Sequence, residues 1–283
     1  MTTNTTPHLT VDRVTPQYWR VTFDHGPINT ITAQTVEELS RLVDEIEHDD
    51  ELNVVVFTSS NPDYFLAHYD TEGDPARTLS MPPGPTGMHP WLDLTARLSR
   101  APVVSIASIR GRARGAGSEL ALATDIRLAG DRAVLAQFEV GTGVVPGGGP
   151  MARLPRLMGR GRALEVLLCA DDIPGDLAEL YGYVNRAIAD AELDGFVESL
   201  ATRIASFDKR AIRETKRFVD VASLPPDYEI APEWVVCNAS IMRPAAQTRI
   251  ATLLERGLHQ PGDVENRLGY HVGQLGADSL QPS

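Results

Sequence analysis

An α/β core followed by a helical C-terminal region is the fold class that this sequence predicts. Three observations support it: short β-branched runs alternate with helical periodicities, no internal repeat is present, and the composition shifts near Glu192. At 283 residues the chain is long enough to bury a full-sized core, so the reading divides it into an α/β core over 1–191 and a helical region with a tail over 192–283.

The elements follow in order. Residues 9–14 and 18–23 read as strands joined at Thr15 and Pro16, a hairpin. Val36, Leu39, Leu42, Val43 and Ile46 recur at helical spacing, and Thr35 with Glu38 is placed as a capping box. The run NVVVFTS over 53–59 suits a strand buried on both faces. Residues 71–90 are rich in Gly, Pro and Met and predict a long loop stiffened at Pro82, Pro83 and Pro85; an irregular connection and a substrate lid both fit. Residues 91–99 read as helix and 102–109 as strand, with further short strands over 125–129, 133–136 and 183–188. From Pro150 onward the chain is mostly helical, and the Gly-rich polar stretch 261–283 is left unassigned.

The formal charge of −12 argues against nucleic acid and anionic membranes as partners. Lysine occurs only at Lys209 and Lys216, so arginine carries almost all of the basic charge. Cys169 and Cys237 form neither a disulfide framework nor a metal-ligand spacing, and no metal site is expected. The opening MTTNTTPHLT lacks the basic start and apolar core of a signal peptide, and no apolar run is long enough to span a bilayer, so a cytoplasmic protein is expected.

The chemistry concentrates in RARGAGSELALATDIRLAG, residues 112–130. A phosphate loop needs Lys and Ser or Thr after its last glycine, and here Ser118 and Glu119 follow Gly117. If Gly115, Ala116 and Gly117 turn tightly into a helix, their N–H groups converge on one spot and can bind the oxygen of a polarised carbonyl. Glu119, in the first helical turn, is then either a capping charge or a general base poised between helix dipole and apolar burial.

Two further segments, YFLAHYD over 64–70 and FEVGTGVVPGGG over 138–149, join it in a pattern that resembles the crotonase superfamily, the enoyl-CoA hydratase and isomerase family. The family pattern has an F-x-A-G-x-D segment, matched by Phe65, Ala67 and Asp70, and a G-G-G-x-E segment, matched by Gly115, Ala116, Gly117 and Glu119. Twenty residues later it has a second Glu followed by G-x-x-P-G-x-G-G; here Glu139 stands 20 positions after Glu119, with Pro146, Gly147 and Gly149 behind it. HGPINTIT, YGYVNRAI and AIRETKRFV add weaker matches, and the resemblance runs from Trp19 to about Val219.

The resemblance implies a spiral core of ββα units and an acyl-CoA substrate, with CoA part of that substrate and no separate cofactor. It implies an oxyanion hole from the Ala67 and Ala116 N–H groups, hydration of a 2-enoyl-CoA by Glu119 and Glu139, and a trimer or dimer of trimers with the region after about Glu192 between subunits. Gly115, Tyr69, Phe138 and Gly147 are expected at the substrate, with Phe138 as a wall of the acyl pocket. The chain departs from the pattern at His68, where the family has glycine. His68 either serves as an additional acid or base, which would favour an isomerase or a hydrolase, including one that cleaves carbon–carbon bonds, or packs under the 71–90 loop. A non-catalytic acyl-CoA-binding relative is a further alternative. Asp70 is expected to cap the segment after it, and Arg77, Arg110, Arg112, Arg114 and Lys216 are candidates for the CoA phosphates.

Overall fold

A computed structural model describes residues 6–73 and 75–276. Its larger sheet contains β1 (Leu9–Thr15), β2 (Tyr18–Phe23), β3 (Val54–Ser59), β5 (Val104–Ile109), β7 (Ile126–Gly130) and β10 (Arg186–Ile188), hydrogen-bonded in that order. Only the β1–β2 hairpin is antiparallel. A smaller sheet has the order β4 (Tyr64–Leu66), β6 (Arg112–Arg114), β8 (Val134–Ala136) and β9 (Ile173–Pro174), with the first three strands parallel. The helices are α1 (Ala33–His48), α2 (Pro75–Ser80), α3 (Pro90–Arg100), α4 (Ala116–Ala123), α5 (Pro150–Met158), α6 (Arg160–Cys169) and α7 (Gly175–Tyr181). After these come α8 (Asp190–Ala205), α9 (Lys209–Ser223), α10 (Asp227–Ile241), α11 (Pro244–Arg256), α12 (Asp263–Asn266) and α13 (Leu268–Gln274).

The VVVF run of β3 is buried on both faces, as its composition predicts. Val55 and Phe57 join Val36, Leu39, Val43 and Ile46 of α1 in the main core, while Val54 and Val56 meet Leu193, Val197 and Ala201 of α8 on the other face. Each such aliphatic side chain contributes about 1.5–3 kcal/mol when fully buried. Helix α8 therefore packs on the chain's own sheet. Helix α9, by contrast, buries no residue and leaves Phe218, Val219 and Val221 exposed.

Four details differ from the sequence reading. The N-cap of α1 is Thr32, and Thr35 is the third helical residue that completes the capping box with it. Thr32 is extended and follows the bridge between Ile31 and Tyr69, which sets the helix start three residues early. Glu38 is left to accept from the His8 and Leu9 N–H groups instead. The stretch 71–90 contains α2, and His89 caps α3 with its ring; Asp74 lies outside the described residues. Lys216 is paired within the chain: its Nζ lies 2.7 Å from Asp125 and donates to the Val103 carbonyl at 2.9 Å. The unassigned stretch 261–283 forms α12 and α13, with Val264, Leu268 and Val272 packed beside Phe138 in a small core; residues 277–283 lie outside the described ones.

Candidate active site

Three parallel three-residue strands set the geometry. Directly after β4 come Ala67 and His68, directly after β6 the Gly115–Ala116 turn, and three residues after β8 Glu139. Gly115 has φ 48° and ψ −122°, backbone that favours glycine, and a Cβ there would lie 2.8 Å from Glu139 Oε1 and 3.0 Å from the Phe138 ring. The turn opens α4 with the Ala116 N–H unpartnered among the described residues, while the Ala67 N–H points to the Asn29 carbonyl at 3.3 Å.

Glu119 sits one turn into α4, 4% exposed. Its two oxygens accept from the Trp91 indole N–H at 2.9 Å and the Gly148 N–H at 2.7 Å. Burial raises its pKa, opposed by those donors, by the Gly147 backbone and by the charge of Arg153. A Cβ at Gly148 would overlap the Glu119 carboxylate, so this turn meets Glu119 backbone-first. Glu139 begins a 3-10 turn, Glu139–Thr142, and its Oε2 is buried with no partner among the described residues. Burial, followed by the charge of Glu119, pushes its pKa up to about 8. The two carboxyls thus differ in a useful way: Glu119 has donors that favour the ionised form, and Glu139 keeps its proton at neutral pH.

His68 is turned toward a different neighbourhood. Its Nε2 lies 2.8 Å from Glu265 Oε1 and its Nδ1 lies 3.1 Å from the Tyr69 carbonyl. A carboxylate and a carbonyl only accept, so both ring nitrogens carry hydrogen and the ring is an imidazolium. Burial alone would lower the His68 pKa, and the Glu265 charge and hydrogen bond outweigh it and raise it. Glu265 also accepts from the His259 N–H at 2.8 Å, and Arg114, buried and paired with Asp172, donates to the Glu265 carbonyl. His68, His259 and Glu265 bring ligand-type atoms within 4.8 Å of one another, yet a doubly protonated ring has no lone pair for a cation.

The other expected residues lie around these two clusters. Tyr69 stands edge-on to Trp91, with ring centres 6.3 Å apart, and its hydroxyl reaches toward Thr78 of α2. Phe138 packs edge-on to His68 at 5.6 Å, and Gly147 lies against Cys237 and Trp234 of α10, where a Cβ would be 2.7 Å from the Cys237 Cβ. Asp70 accepts from the Glu72 and Gly73 N–H groups, so it caps the following turn as expected. The arginines considered for phosphate all have protein partners: Arg77 pairs with Glu37, Arg110 with Asp194 and Arg114 with Asp172, while Arg112 donates to the Asn266 and Asp63 carbonyls. Three participants escaped the sequence reading. Trp91 and Glu265 stand 28 and 197 residues from their partners, and Glu233 enters from α10; none belongs to the motifs that the sequence displays.

Comparison with known proteins identifies the family. The family model described as enoyl-CoA hydratase/isomerase matches residues 18–228. A short-chain-enoyl-CoA hydratase of Clostridium acetobutylicum is 32% identical over 195 residues, covering 68% of this chain and 73% of that one. A crotonyl-CoA hydratase of Syntrophomonas wolfei is 33% identical over 195 residues, covering 67% and 72%. Among solved structures, a candidate enoyl-CoA hydratase from Streptomyces avermitilis superposes with a TM-score of 0.89 at 38% identity, covering 94% of this chain and 96% of that one. Among the described residues no helix is long and apolar enough to cross a membrane. Matched by the family model over most of its length, and built on a crotonase-like pair of sheets with a helical C-terminal region, the chain belongs to the enoyl-CoA hydratase/isomerase family.

Proposed function

We propose that the protein hydrates a 2-enoyl-CoA thioester, and that Glu119 and Glu139 handle the protons. The observation that carries this reading is the pair itself: two buried carboxyls, one held by N–H donors and one protonated at neutral pH, beside a helix start with an unpartnered N–H. An isomerisation needs one group to move a proton between two carbons, whereas hydration uses a base for water and an acid for carbon at once.

In this mechanism water stands between the carboxyls. Glu119 takes a proton from water as its oxygen bonds to the β-carbon, electron density moves through the α-carbon to the thioester oxygen, and Glu139 supplies a proton to the α-carbon. Charge on that oxygen is met by the Ala116 N–H at the start of α4, with the Ala67 N–H as second donor once it leaves the Asn29 carbonyl. Such a donor contributes about 3 kcal/mol to the transition state. His68, with both nitrogens committed to acceptors, holds the C-terminal segment and moves no proton, which sets the hydrolase and isomerase alternatives behind hydration. The exposed apolar face of α9 supports self-association, in keeping with a trimer or a dimer of trimers.

The test is the loss of enoyl-thioester ultraviolet absorbance over a panel of 2-enoyl-CoA chain lengths. Turnover by the wild type that disappears in Glu119→Gln supports the reading. A folded wild type that binds acyl-CoA without turning any of them over would overturn it in favour of a binding protein.

A further inference from the structure

A third buried carboxyl stands behind the acid pair without belonging to it. Glu233, on α10, is 5% exposed, and its Oε1 accepts from the Ala152 N–H at 2.9 Å. Ala152 lies in the first turn of α5, a helix that begins at Pro150 after left-handed Gly149 and has no side-chain cap at its N-cap residue. The first N–H groups of a helix need an acceptor from elsewhere, and Glu233 supplies it across the helix boundary, with the Met151 and Gly149 backbones also turned to it.

What lies just before that turn makes the cap matter. Gly148 donates to Glu119 at 2.7 Å, and a side chain at 148 would strike both Glu119 and the Trp91 indole. Gly147 is pressed against Cys237 and Trp234, which belong to the same helix as Glu233. Helix α10 therefore grips the turn at two points, by a hydrogen bond at Ala152 and by packing at Gly147, with the Glu119 contact between them. From this geometry we propose that Glu233 is a positioning residue for Glu119: capping α5 from α10, it keeps the Gly147 and Gly148 N–H groups aimed at the Glu119 carboxylate.

The inference deepens the assignment of Glu119 as a proton-handling group, and its test has a readout that needs no substrate. The Trp91 indole N–H, hydrogen-bonded to Glu119, reports the ionisation of that carboxyl as a proton and nitrogen chemical shift. The protein has three tryptophans, so Trp91→Phe assigns the resonance. The charged or titratable groups that face Glu119 are Glu139 after β8, Arg153 of α5, Glu233 and Cys237 of α10, and Tyr183 before β10. In Glu233→Ala the uncapped turn loosens, and the indole midpoint should move up by about one pH unit, roughly tenfold in proton affinity. The acid limb of the kcat/KM profile should move with it. Glu233→Gln keeps an oxygen for the Ala152 N–H and should restore the wild-type midpoint.

An unchanged midpoint in Glu233→Ala would overturn the proposal, as would a shift in Glu233→Gln equal to that in Glu233→Ala. If the alanine variant fails to fold, Glu233→Asp, shorter by one methylene, should give a smaller upward shift, and none at all would overturn it. A midpoint that moves in a protein with no turnover on any enoyl-CoA would keep the positioning role and reject hydration.

Discussion

On either side of the Gly115 turn lie two buried clusters of ionisable groups, and they treat charge in opposite ways. In the His68 cluster, cation and anion are matched: an imidazolium donates to Glu265 and Tyr69, and Arg114 stands behind with Asp172. In the Glu119 cluster two acids share one enclosure, Glu139 keeps an oxygen without a partner, and its proton survives to about pH 8. A buried pair of opposite charge fixes chain segments, here the C-terminal helices onto the β4 turn, even though Glu265 Oε2 has no partner among the described residues. A buried pair of like groups, in which one acid keeps its proton, is poised for proton transfer.

The largest expected effect would break the contrast outright. Glu139→Gln and Glu119→Gln should each lower kcat by about 10³-fold with little change in melting temperature, measured by the enoyl-thioester assay and calorimetry. A severe loss of stability with modest loss of rate would mean that the acid pair is structural. His68→Ala should do the reverse, exposing the uncompensated Glu265 charge at a cost of about 3–5 kcal/mol in chemical denaturation while the remaining folded enzyme keeps its rate within about tenfold. A stable His68→Ala protein without activity would return His68 to the chemistry.

The next prediction uses pH, and the signs differ between groups. Glu139 has a folded value of about 8 against an ordinary 4.5, so the native state holds a proton that the unfolded chain has lost. Its contribution to stability is complete below pH 4.5 and disappears as pH rises through about 8. Removing that titration, Glu139→Gln should be more stable than wild type at pH 8.5 and not at pH 4.5. Turnover by the wild type should fall above about pH 8, where the acid is deprotonated. The raised His68 likewise contributes below its ordinary 6.5 and loses that as pH climbs through its folded value, whereas the lowered Glu265 contributes above 4.5 and loses that as pH falls. The smallest effect tests how the C-terminal segment is held: Tyr64→Phe removes the hydroxyl that donates to Asn266 at 3.2 Å and should cost about 1 kcal/mol, leaving kcat unchanged.

Much of this arrangement was legible in the residues themselves. The acid pair was expected through the resemblance to the crotonase superfamily, whose pattern the 119-to-139 interval and the Gly-Ala-Gly turn match. The β1–β2 hairpin and β3 were readable because their apolar patterns run for six residues or more. Strands β4, β6 and β9, of two or three residues, show no period-two pattern, and their register comes from neighbours far along the chain, parallel for β4 and β6 and antiparallel for β9. The cap at Thr32 depended on a bridge to Tyr69, and the fate of His68 on Glu265 in a stretch whose composition says only that it is polar. Sequence patterns record local periodicity well; they carry little about which distant acid will meet a histidine.

The start of α4 has one further consequence. The donor that meets the thioester oxygen in the proposed reaction is a peptide N–H, and the same atom is present whether residue 116 is alanine, glycine or serine. Substitution cannot remove it, so the side chains at 68, 119 and 139 are free to drift, fail and be replaced while the means of stabilising an enolate persists. A descendant of this chain could therefore change which bond it makes long before it changes what kind of intermediate it tolerates. Proline at 116 would be an exception, because it deletes that hydrogen, and selection should keep it out for as long as any lineage retains thioester chemistry.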